Sequence, residues 1–399
     1  MQWTKPDLGL VEFSGNKHNN IVELAPWQPG SGNALLLYEP QDPNPDRRYK
    51  LMILVYADVA PVVQTIIPFF SRDGLHWRQA VSGTFNSDGQ LDRGAAVMPL
   101  DYFEMGGLYH FQESYYAAGQ QRIPYTWLPD GSPCGRVMSV FRSTDFVHWS
   151  DTGTQAFIRW GYHSAPIDEG EEAHMPAASW NRGNVILGVY GQLHGAPHSR
   201  RHPLDLGFLI SNDAIHFREP INDYVFLRHD PDSAWQSGGL VQGQGLFNRG
   251  DKTYVYFSGW DGDVTDFRTR AEIGFATLRR DGFGSLSPMR AGEPAAFVTC
   301  ALVSGVPSRL WANADGLSSS AELKIELLDE GERPLPGYSG ADAARVDRSG
   351  LDQPVRWGRR SVIPASPARF KIRVSYVGRN GRGINCYALY LKAAQGAGP

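Results

Sequence analysis

Several carboxylates in this chain lie at the ends of short apolar runs that have the composition of β-strands. They are Asp58, Asp92, Glu113, Glu171 and Glu172. A pair of carboxyl groups can act as acid and base, or as acid and nucleophile, on either side of a glycosidic bond. Two crowded carboxyl groups also separate in pKa, so that one of them stays protonated near neutral pH. These five residues are the first candidates for chemistry.

Polar and aromatic residues at the same kind of position can bind a sugar, because the faces of aromatic rings stack on sugar rings. The candidates for this role are Asn19, Asn20, Arg93, Glu171, His174, Trp235, Gln236, Trp260 and Asp261. The simpler alternative is that acidic residues in such loops only cap turns or pair with arginine. Both interpretations stay open at the level of the sequence.

One phrase recurs along the first three quarters of the chain and indicates how these residues are positioned. The pattern Ser-x-Asp-x-x-His-aromatic occupies residues 71–77, 143–149 and 211–217, and a fainter copy lies at 280–283. Its aspartates stand at positions 73, 145, 213 and 281. Because an aspartate in a turn accepts backbone N–H groups, the phrase predicts a hairpin turn whose aromatic residue packs on the sheet.

Each phrase belongs to a repeat of about 70 residues with four strand-like runs, which is typical of a β-propeller blade. The sequence predicts an all-β protein with a five-bladed propeller over residues 1–290. Four blades are legible, and the fifth is composite, from residues 8–25 and a segment after 290; a four-bladed ring is the alternative. In such a ring first strands start and second strands end at one face, so the candidate residues are expected to meet at one mouth.

The last hundred residues have a different pattern. Residues 323–327 and 370–376 alternate strictly between apolar and polar side chains, as half-buried antiparallel strands do. A further strand is predicted over residues 384–390. This pattern predicts a small antiparallel β-sandwich as a second domain over residues 291–399.

Composition and charge exclude several classes of protein. The 399 residues carry a net charge of -4 with no basic block, so no nucleic-acid partner is expected. No apolar run has membrane-spanning length, and the N-terminus lacks the apolar region of a secretory leader. A cytoplasmic protein without a membrane partner is therefore expected, or a secreted one if a leader has been removed. Three separated cysteines exclude a disulfide framework and are expected to be buried thiols. No cofactor is expected, and a homo-oligomer remains open.

The Ser-x-Asp-x-x-His-Trp phrase at blade spacing resembles the five-bladed propeller glycoside hydrolases of families 32, 43 and 68. Residues 171–176 resemble the third-blade motif that carries the general acid of that clan, which implies Glu172, with Glu171 as the near alternative. Residues 90–94 stand at the second-blade place, which implies that Asp92 supports the transition state or acts as base. Residues 310–316 and 336–339 resemble the sandwich appended to family 32-like proteins.

The chain departs from family 32 in the first blade, where the family has an Asp-Pro motif that supplies the nucleophile. Residues 18–22 contain Asn19 and Asn20 at that place and no acid. Asp58 or Glu113 is then expected to be the nucleophile or to activate water, unless water is activated otherwise or the activity differs. Arg93, His174, Trp235 and Trp260 are expected to position the sugar.

These observations predict a hydrolase of glycosidic bonds in an oligosaccharide or polysaccharide, and two alternatives remain. His194, His198 and His202 occur at steps of four, but the Gly and Pro between them favour a loop, so no metal is expected. The same His- and Arg-rich segment can bind phosphate, as in a glycoside phosphorylase. A propeller that binds carbohydrate without catalysis is the second alternative, because it needs no first-blade acid.

Overall fold

The structure is a computed structural model that describes residues 4–25, 31–57, 63–81, 103–121, 137–158, 172–193, 203–222, 224–262, 268–290, 293–378 and 383–394. Within these ranges the regular elements are β-strands, apart from 3-10 turns at Pro45–Arg47 and Gly340–Asp342. The predicted all-β fold is confirmed. No helix in these ranges is long and apolar enough to cross a membrane.

The chain forms two compact units, Met1–Leu246 with Val255–Ala276, and Phe247–Tyr254 with Thr277–Pro399. Residues 277–290 therefore group with the C-terminal part of the chain. The domain boundary between residues 290 and 291 stays a prediction.

Within the sheets of the first unit, each strand other than β1 pairs with its neighbour along the chain, the order found in propeller blades. The first sheet contains β1 (Glu23–Ala25), β2 (Ser31–Tyr38), β3 (Tyr49–Ala57), β4 (Val63–Ser71) and β5 (His76–Gln79). The second contains β6 (Phe103–Phe111), β7 (Ser114–Gln121), β8 (Val137–Ser143) and β9 (Ser150–Phe157). The third contains β10 (Glu172–Asn181), β11 (Ile186–Leu193), β12 (Leu204–Ser211) and β13 (Val225–Leu227). We call β14 (Gly239–Arg249), β15 (Lys252–Trp260) and β16 (Ala271–Arg279) the fourth sheet, although one parallel pair, Leu204 with Gly239, joins it to the third in a continuous seven-stranded sheet.

The two segments expected to form a composite fifth blade pair elsewhere. Strand β1 lies in parallel beside β5 at the outer edge of the first sheet. Residues 295–298 pair with the strand at 366–378 in the second unit. The described part of the first unit therefore holds four up-and-down groups of strands, of which the last two are joined by one parallel pair, and the number of blades stays a prediction.

The first strands of the sheets run side by side in the same direction. Near their starts, Asn33 Nδ2 donates to Met105 O at 3.4 Å, which joins β2 to β6. At their ends, His110 O accepts from Asn181 Nδ2 at 2.6 Å, which joins β6 to β10. We call the side on which β2, β6 and β10 start the mouth side. The fourth sheet also reaches the first one, because Gln244 Nε2 donates to Ala34 O at 2.7 Å.

Apolar side chains fill the spaces between neighbouring sheets of this unit. Leu35 and Ile66 of the first sheet share one buried cluster with Phe103 and Phe141 of the second. Residues 51–55 of strand β3 form a continuous apolar run, and residues 52–54 are buried in succession, as expected for a strand covered on both faces. Burying each such side chain stabilises the unit by about 1.5–3 kcal/mol.

The repeated phrase forms the predicted turn in its three clear copies. In the first copy, Oδ1 of Asp73 accepts the backbone N–H groups of His76 and Leu75 at 2.9 and 2.8 Å. These two hydrogen bonds hold the pKa of Asp73 well below its usual range. Trp77 is buried and donates from Nε1 to Gly74 O at 3.0 Å. Asp145 and Asp213 accept the corresponding N–H groups in the second and third copies.

The fainter fourth copy is a different structure. Asp281 has a positive φ of 56°, and its carboxylate accepts from Asn248 Nδ2 at 3.0 Å and from Tyr390 Oη at 2.6 Å. Its partners are thus distant side chains, whereas the other copies bind their own backbone. Residues 280 and 281 do form a turn, as the phrase predicts, but its contacts differ from those of the three clear copies.

A buried charged cluster lies where β2 ends, away from the mouth side. Lys50 is fully buried, with its Nζ at 2.7 Å from Glu39 Oε2 and 2.5 Å from Asp42 Oδ2. Glu39 also accepts from His110 Nδ1 at 2.6 Å and from Tyr115 Oη at 3.1 Å. Burial by itself raises the pKa of Glu39, but the hydrogen bonds from His110 and Lys50 outweigh it and lower that pKa to about 2.

The second unit contains two sheets that face each other across one core, which confirms the predicted sandwich. One sheet contains β17 (Ala295–Val298), β18 (Leu302–Ser304), β20 (Ala321–Asp329), β21 (Ala344–Val346) and β23 (Ser366–Gly378); the other contains β19 (Ser308–Asp315), β22 (Gly350–Pro354) and β24 (Asn385–Ala393). Leu310 and Ala312 of β19 share the core with Leu323 and Ile325 of β20. Cys386 is buried as expected, whereas Cys300 is exposed.

Candidate active site

The mouth side of the third sheet carries the predicted general acid. Glu172 is the first residue of β10 and pairs with Leu193, the last residue of β11. His174 follows two residues later and pairs with Gly191. For Glu172 and His174 the structure describes the backbone, which places them at the end of the sheet where the sequence predicts them.

The second sheet is ordered differently from the prediction, and this moves Glu113. The sequence predicts residues 95–100 as the first strand and 107–111 as the second. In the structure β6 is the first strand and β7 is the second, so Glu113 lies in the turn between them. That turn is on the side where β6 ends, opposite the mouth side. The structure therefore contradicts the prediction that Glu113 acts at the mouth.

This position leads to a prediction for Glu113. Its side chain is exposed, and it stands two residues after the end of β6. The Glu113→Gln variant is expected to keep the kcat of the wild-type protein towards any substrate that the protein hydrolyses. Steady-state kinetics of the two proteins would measure this. A large fall in kcat would mean that the turn does reach the reaction.

The acid that the second sheet does bring to the mouth side is Glu104, which the sequence reasoning missed. Glu104 is the second residue of β6, and its Oε2 accepts from Gln120 Nε2 at 3.1 Å. Gln120 is buried, and its Oε1 has no hydrogen-bond partner. The available signal was a single acid within the otherwise apolar run at 103–111. A buried amide oxygen without a donor is a place where a ligand hydroxyl would be stabilised.

Asn19 and Asn20 lie away from the mouth. Asn19 Nδ2 donates to Val11 O at 2.8 Å, and its Oδ1 accepts from Ile21 N at 3.0 Å, so the amide holds the N-terminal segment together. The residues precede β1, which runs parallel to β5 at the outer edge of the first sheet. Because β5 ends on the mouth side, β1 starts on the opposite side. The structure therefore contradicts the prediction that Asn19 and Asn20 bind substrate at the mouth.

The fourth sheet brings together the residues predicted there. The segment with Trp235 and Gln236 precedes β14, and Trp260 is the last residue of β15. Gly238 N donates to Trp260 O at 2.8 Å, and Ser237 Oγ donates to Asp261 O at 3.1 Å. Leu204, the first residue of β12, pairs with Gly239, which puts this group on the mouth side. Asp261 is exposed, and Trp260 Nε1 is buried without a partner.

Trp235 has a packing role in this group. Its ring stacks on Phe257 with the centroids 5.8 Å apart. A Cβ atom on Gly259 would lie 2.5 Å from the Trp235 ring, and one on Gly274 would lie 2.6 Å from it. Two glycines of β15 and β16 thus make room for the indole, which anchors the segment before β14.

Gly259→Ala is expected to lower stability by about 1–3 kcal/mol, because the stacked indole has no room to move away from the new methyl group. The midpoint of thermal unfolding would measure the effect. Gly284→Ala is the matched control, since nothing lies within 4 Å of a Cβ atom there. Equal midpoints for the two variants would contradict the packing described for Trp235.

Asp58, Asp92, Arg93 and Glu171 lie outside the described residues, as do His194, His198 and His202. Asp58 directly follows β3, a second strand that ends on the mouth side. The roles expected for these residues, including the phosphate alternative for the three histidines, stay predictions. The described residues contain no group of three or more His, Cys, Asp or Glu side chains that would hold a metal ion.

Solved structures similar to this chain include two glycoside hydrolases and a deacetylase. The family 32 β-fructofuranosidase of Bombyx mori is 13% identical and matches 92% of this chain and 80% of its own, with a TM-score of 0.36. A thermostable family 43 glycoside hydrolase is 12% identical and matches 64% of this chain and 72% of its own, with a TM-score of 0.35. An N-acetylgalactosamine deacetylase from F. plautii, in complex with blood group B trisaccharide, is 15% identical over 63% of this chain and 73% of its own, with a TM-score of 0.39.

Two of these proteins belong to families 32 and 43, which are among the three families that the sequence motifs resemble. No protein-family model and no curated protein sequence matches the chain. Identities of 15% or less carry no activity over to this chain. The chemistry of the mouth side must follow from its own residues.

Those residues suit acid–base work on a polyhydroxylated ligand. Neighbouring first strands β6 and β10 each begin with a glutamate at or next to their first residue, Glu104 and Glu172. The fourth sheet adds the exposed carboxylate of Asp261 and the half-buried ring of Trp260 on the same side. Two carboxyl groups can supply the acid and the second carboxylate of glycosidic bond cleavage, and an aromatic ring can stack on a sugar.

Proposed function

We propose that the protein hydrolyses a glycosidic bond in an oligosaccharide or polysaccharide at the mouth side of the first unit. The observation that carries the proposal is the pair of first strands, β6 and β10, which start side by side and carry Glu104 and Glu172 there. Two carboxyl groups on neighbouring strands can divide the roles of general acid and stabilising carboxylate, which is the division that this reaction needs.

In the proposed reaction Glu172 is the general acid that protonates the leaving oxygen, with Glu171 as the near alternative. Glu104, oriented by Gln120, is the carboxylate that stabilises positive charge at the anomeric carbon in the transition state. Asp92 remains a second candidate for that support or for the base, and Asp58 remains one for the nucleophile or the water-activating group. Arg93, His174, Trp260 and Asp261 would position the sugar.

A product screen tests the proposal. The purified protein would be incubated with furanosides, pyranosides and oligosaccharides, each with and without inorganic phosphate, and the products read by mass spectrometry. New products that form equally well without phosphate are expected. Sugar phosphates that form only with phosphate would replace the proposal by a phosphorylase, and binding of a sugar without any product would replace it by a carbohydrate-binding protein.

A further inference from the structure

One histidine on the mouth side is held by a buried carboxylate. Asp205 is the second residue of β12 and is 1% exposed. Its Oδ1 accepts two hydrogen bonds from His229, one from the backbone N–H and one from Nδ1 of the ring, both at 2.7 Å. The ring itself is 16% exposed, so part of it reaches solvent. The contact thus fixes the orientation of the imidazole.

This pair differs from the His–Asp pairs of the repeated turns. His76, His148 and His216 contact the aspartates of the repeated turns, and these rings are 52%, 78% and 66% exposed. Those contacts are part of the turn motif. Asp205 and His229 stand 24 residues apart, outside any copy of the phrase. A carboxylate withdrawn from water in this way costs free energy unless it is paired, so the burial of Asp205 depends on its donors.

The sheet register places the pair among the candidate site residues. Leu204 pairs with Leu193, and Leu193 pairs with Glu172, so Asp205 is one residue away from the row of Glu172. Leu204 also pairs with Gly239, at the start of the fourth sheet. Strand β11 lies between β10 and β12, so Glu172 and the Asp205–His229 pair are on the mouth side of the same sheet.

An imidazole whose Nδ1–H donates to a carboxylate presents Nε2 as a proton acceptor. We propose that His229 is the catalytic base that activates the attacking water and that Asp205 is its positioning residue. This inference rests on the proposed hydrolysis of a glycosidic bond. It supplies the group that the first-blade segment lacks, where Asn19 and Asn20 stand in place of an acid.

In the step, an O–H bond of water breaks and its proton moves to Nε2 of His229. The water oxygen forms a bond to the anomeric carbon, and the bond from that carbon to the leaving oxygen breaks. The leaving oxygen takes the proton of the Glu172 carboxyl group, so both protons are accounted for. Because water attacks directly, the configuration at the anomeric carbon is inverted.

The test is kinetic, with a matched control. His229→Ala is expected to lower kcat by about 10²–10⁴-fold, and added imidazole is expected to restore part of it. His216→Ala removes a ring with the same contact to an aspartate, in a surface turn, and is expected to change neither kcat nor its response to imidazole. Asp205→Asn is expected to lower kcat with little change in KM, because it disturbs the orientation of the base.

Each result decides between outcomes. Wild-type kcat in His229→Ala, or a retained anomeric configuration in the first product, overturns the inference and leaves the proposed hydrolysis intact. Loss of activity without rescue by imidazole, at a lowered unfolding midpoint, shows a structural role and also overturns it. If His229→Ala does not fold, His229→Gln keeps the volume without the proton acceptor and must show the same loss of kcat. No product from the wild-type protein overturns both proposals.

Discussion

Replacement of Glu172 by glutamine is expected to lower kcat by about 10²–10⁴-fold while KM changes little. An amide has the shape of the carboxyl group but no proton to give to the leaving oxygen. The loss should depend on the substrate. An aryl glycoside whose phenol is acidic needs little protonation as it leaves, so the variant should retain much more of its activity on that substrate.

Steady-state kinetics on the two classes of substrate would measure this dependence. Glu330→Gln is the control for the amide substitution itself, because its side chain is 63% exposed in the second unit. Glu171→Gln separates the two neighbouring acids. If Glu171→Gln shows the leaving-group dependence and Glu172→Gln keeps full activity, the general acid is Glu171 and the assignment to Glu172 is wrong.

Replacement of Lys50 by methionine is expected to destabilise the first unit by about 3–5 kcal/mol. Lys50 is the buried cation between Glu39 and Asp42, and removing it leaves two carboxylates that water reaches poorly. Urea-induced unfolding followed by tryptophan fluorescence would measure the change. Lys371→Met is the control, since Lys371 pairs with Glu332, which is half exposed, and such surface pairs contribute about 1 kcal/mol or less.

The same cluster sets how stability depends on pH. The pKa of Glu39 is about 2 in the folded protein, below its usual value of 4.5. A lowered pKa means that the stabilisation is complete above pH 4.5 and is lost as the pH falls from there towards 2. In Lys50→Met this acid-side loss should be smaller. Equal stability of the variant and the wild-type protein at neutral pH would contradict the role given to Lys50.

The sequence alone was sufficient for the parts of the fold that local rules determine. The turn at Asp73 follows from one side chain that accepts N–H groups two and three residues ahead, so a short phrase predicts it. The strand order predicted for the second sheet was wrong because strand β7 was missed. Residues 114–121 end in Gly119, Gln120 and Gln121, and β-propensity does not favour such a segment as a strand. In the structure these residues pair with β6 along their length, and tertiary pairing overrides the local preference.

The candidate site was less predictable because its contacts join distant parts of the chain. Gln120 meets Glu104 only because β6 and β7 are neighbours, a pairing that the sequence reasoning missed. His229 meets Asp205 because β13 returns beside β12 after a turn. Glu172, by contrast, was predicted from a local motif at residues 171–176, and its role stays a prediction. Asn19 was wrongly assigned to the mouth, because no local sequence pattern indicates that β1 pairs in parallel with β5.

The hydrogen bond from Gln244 to Ala34 spans 210 positions of the chain. The carbonyl oxygen of Ala34 therefore cannot receive this hydrogen bond until the ribosome has released the part of the fourth sheet that contains Gln244. A nascent chain that ends after the third sheet leaves one flank of β2 open to water, together with the polar backbone that Gln244 will later cover. Contacts between such distant positions also slow folding, because the loop must close before the contact stabilises it. At that stage β2 is exposed because its contact with the fourth sheet has not formed, and chaperones would bind the nascent chain in this state.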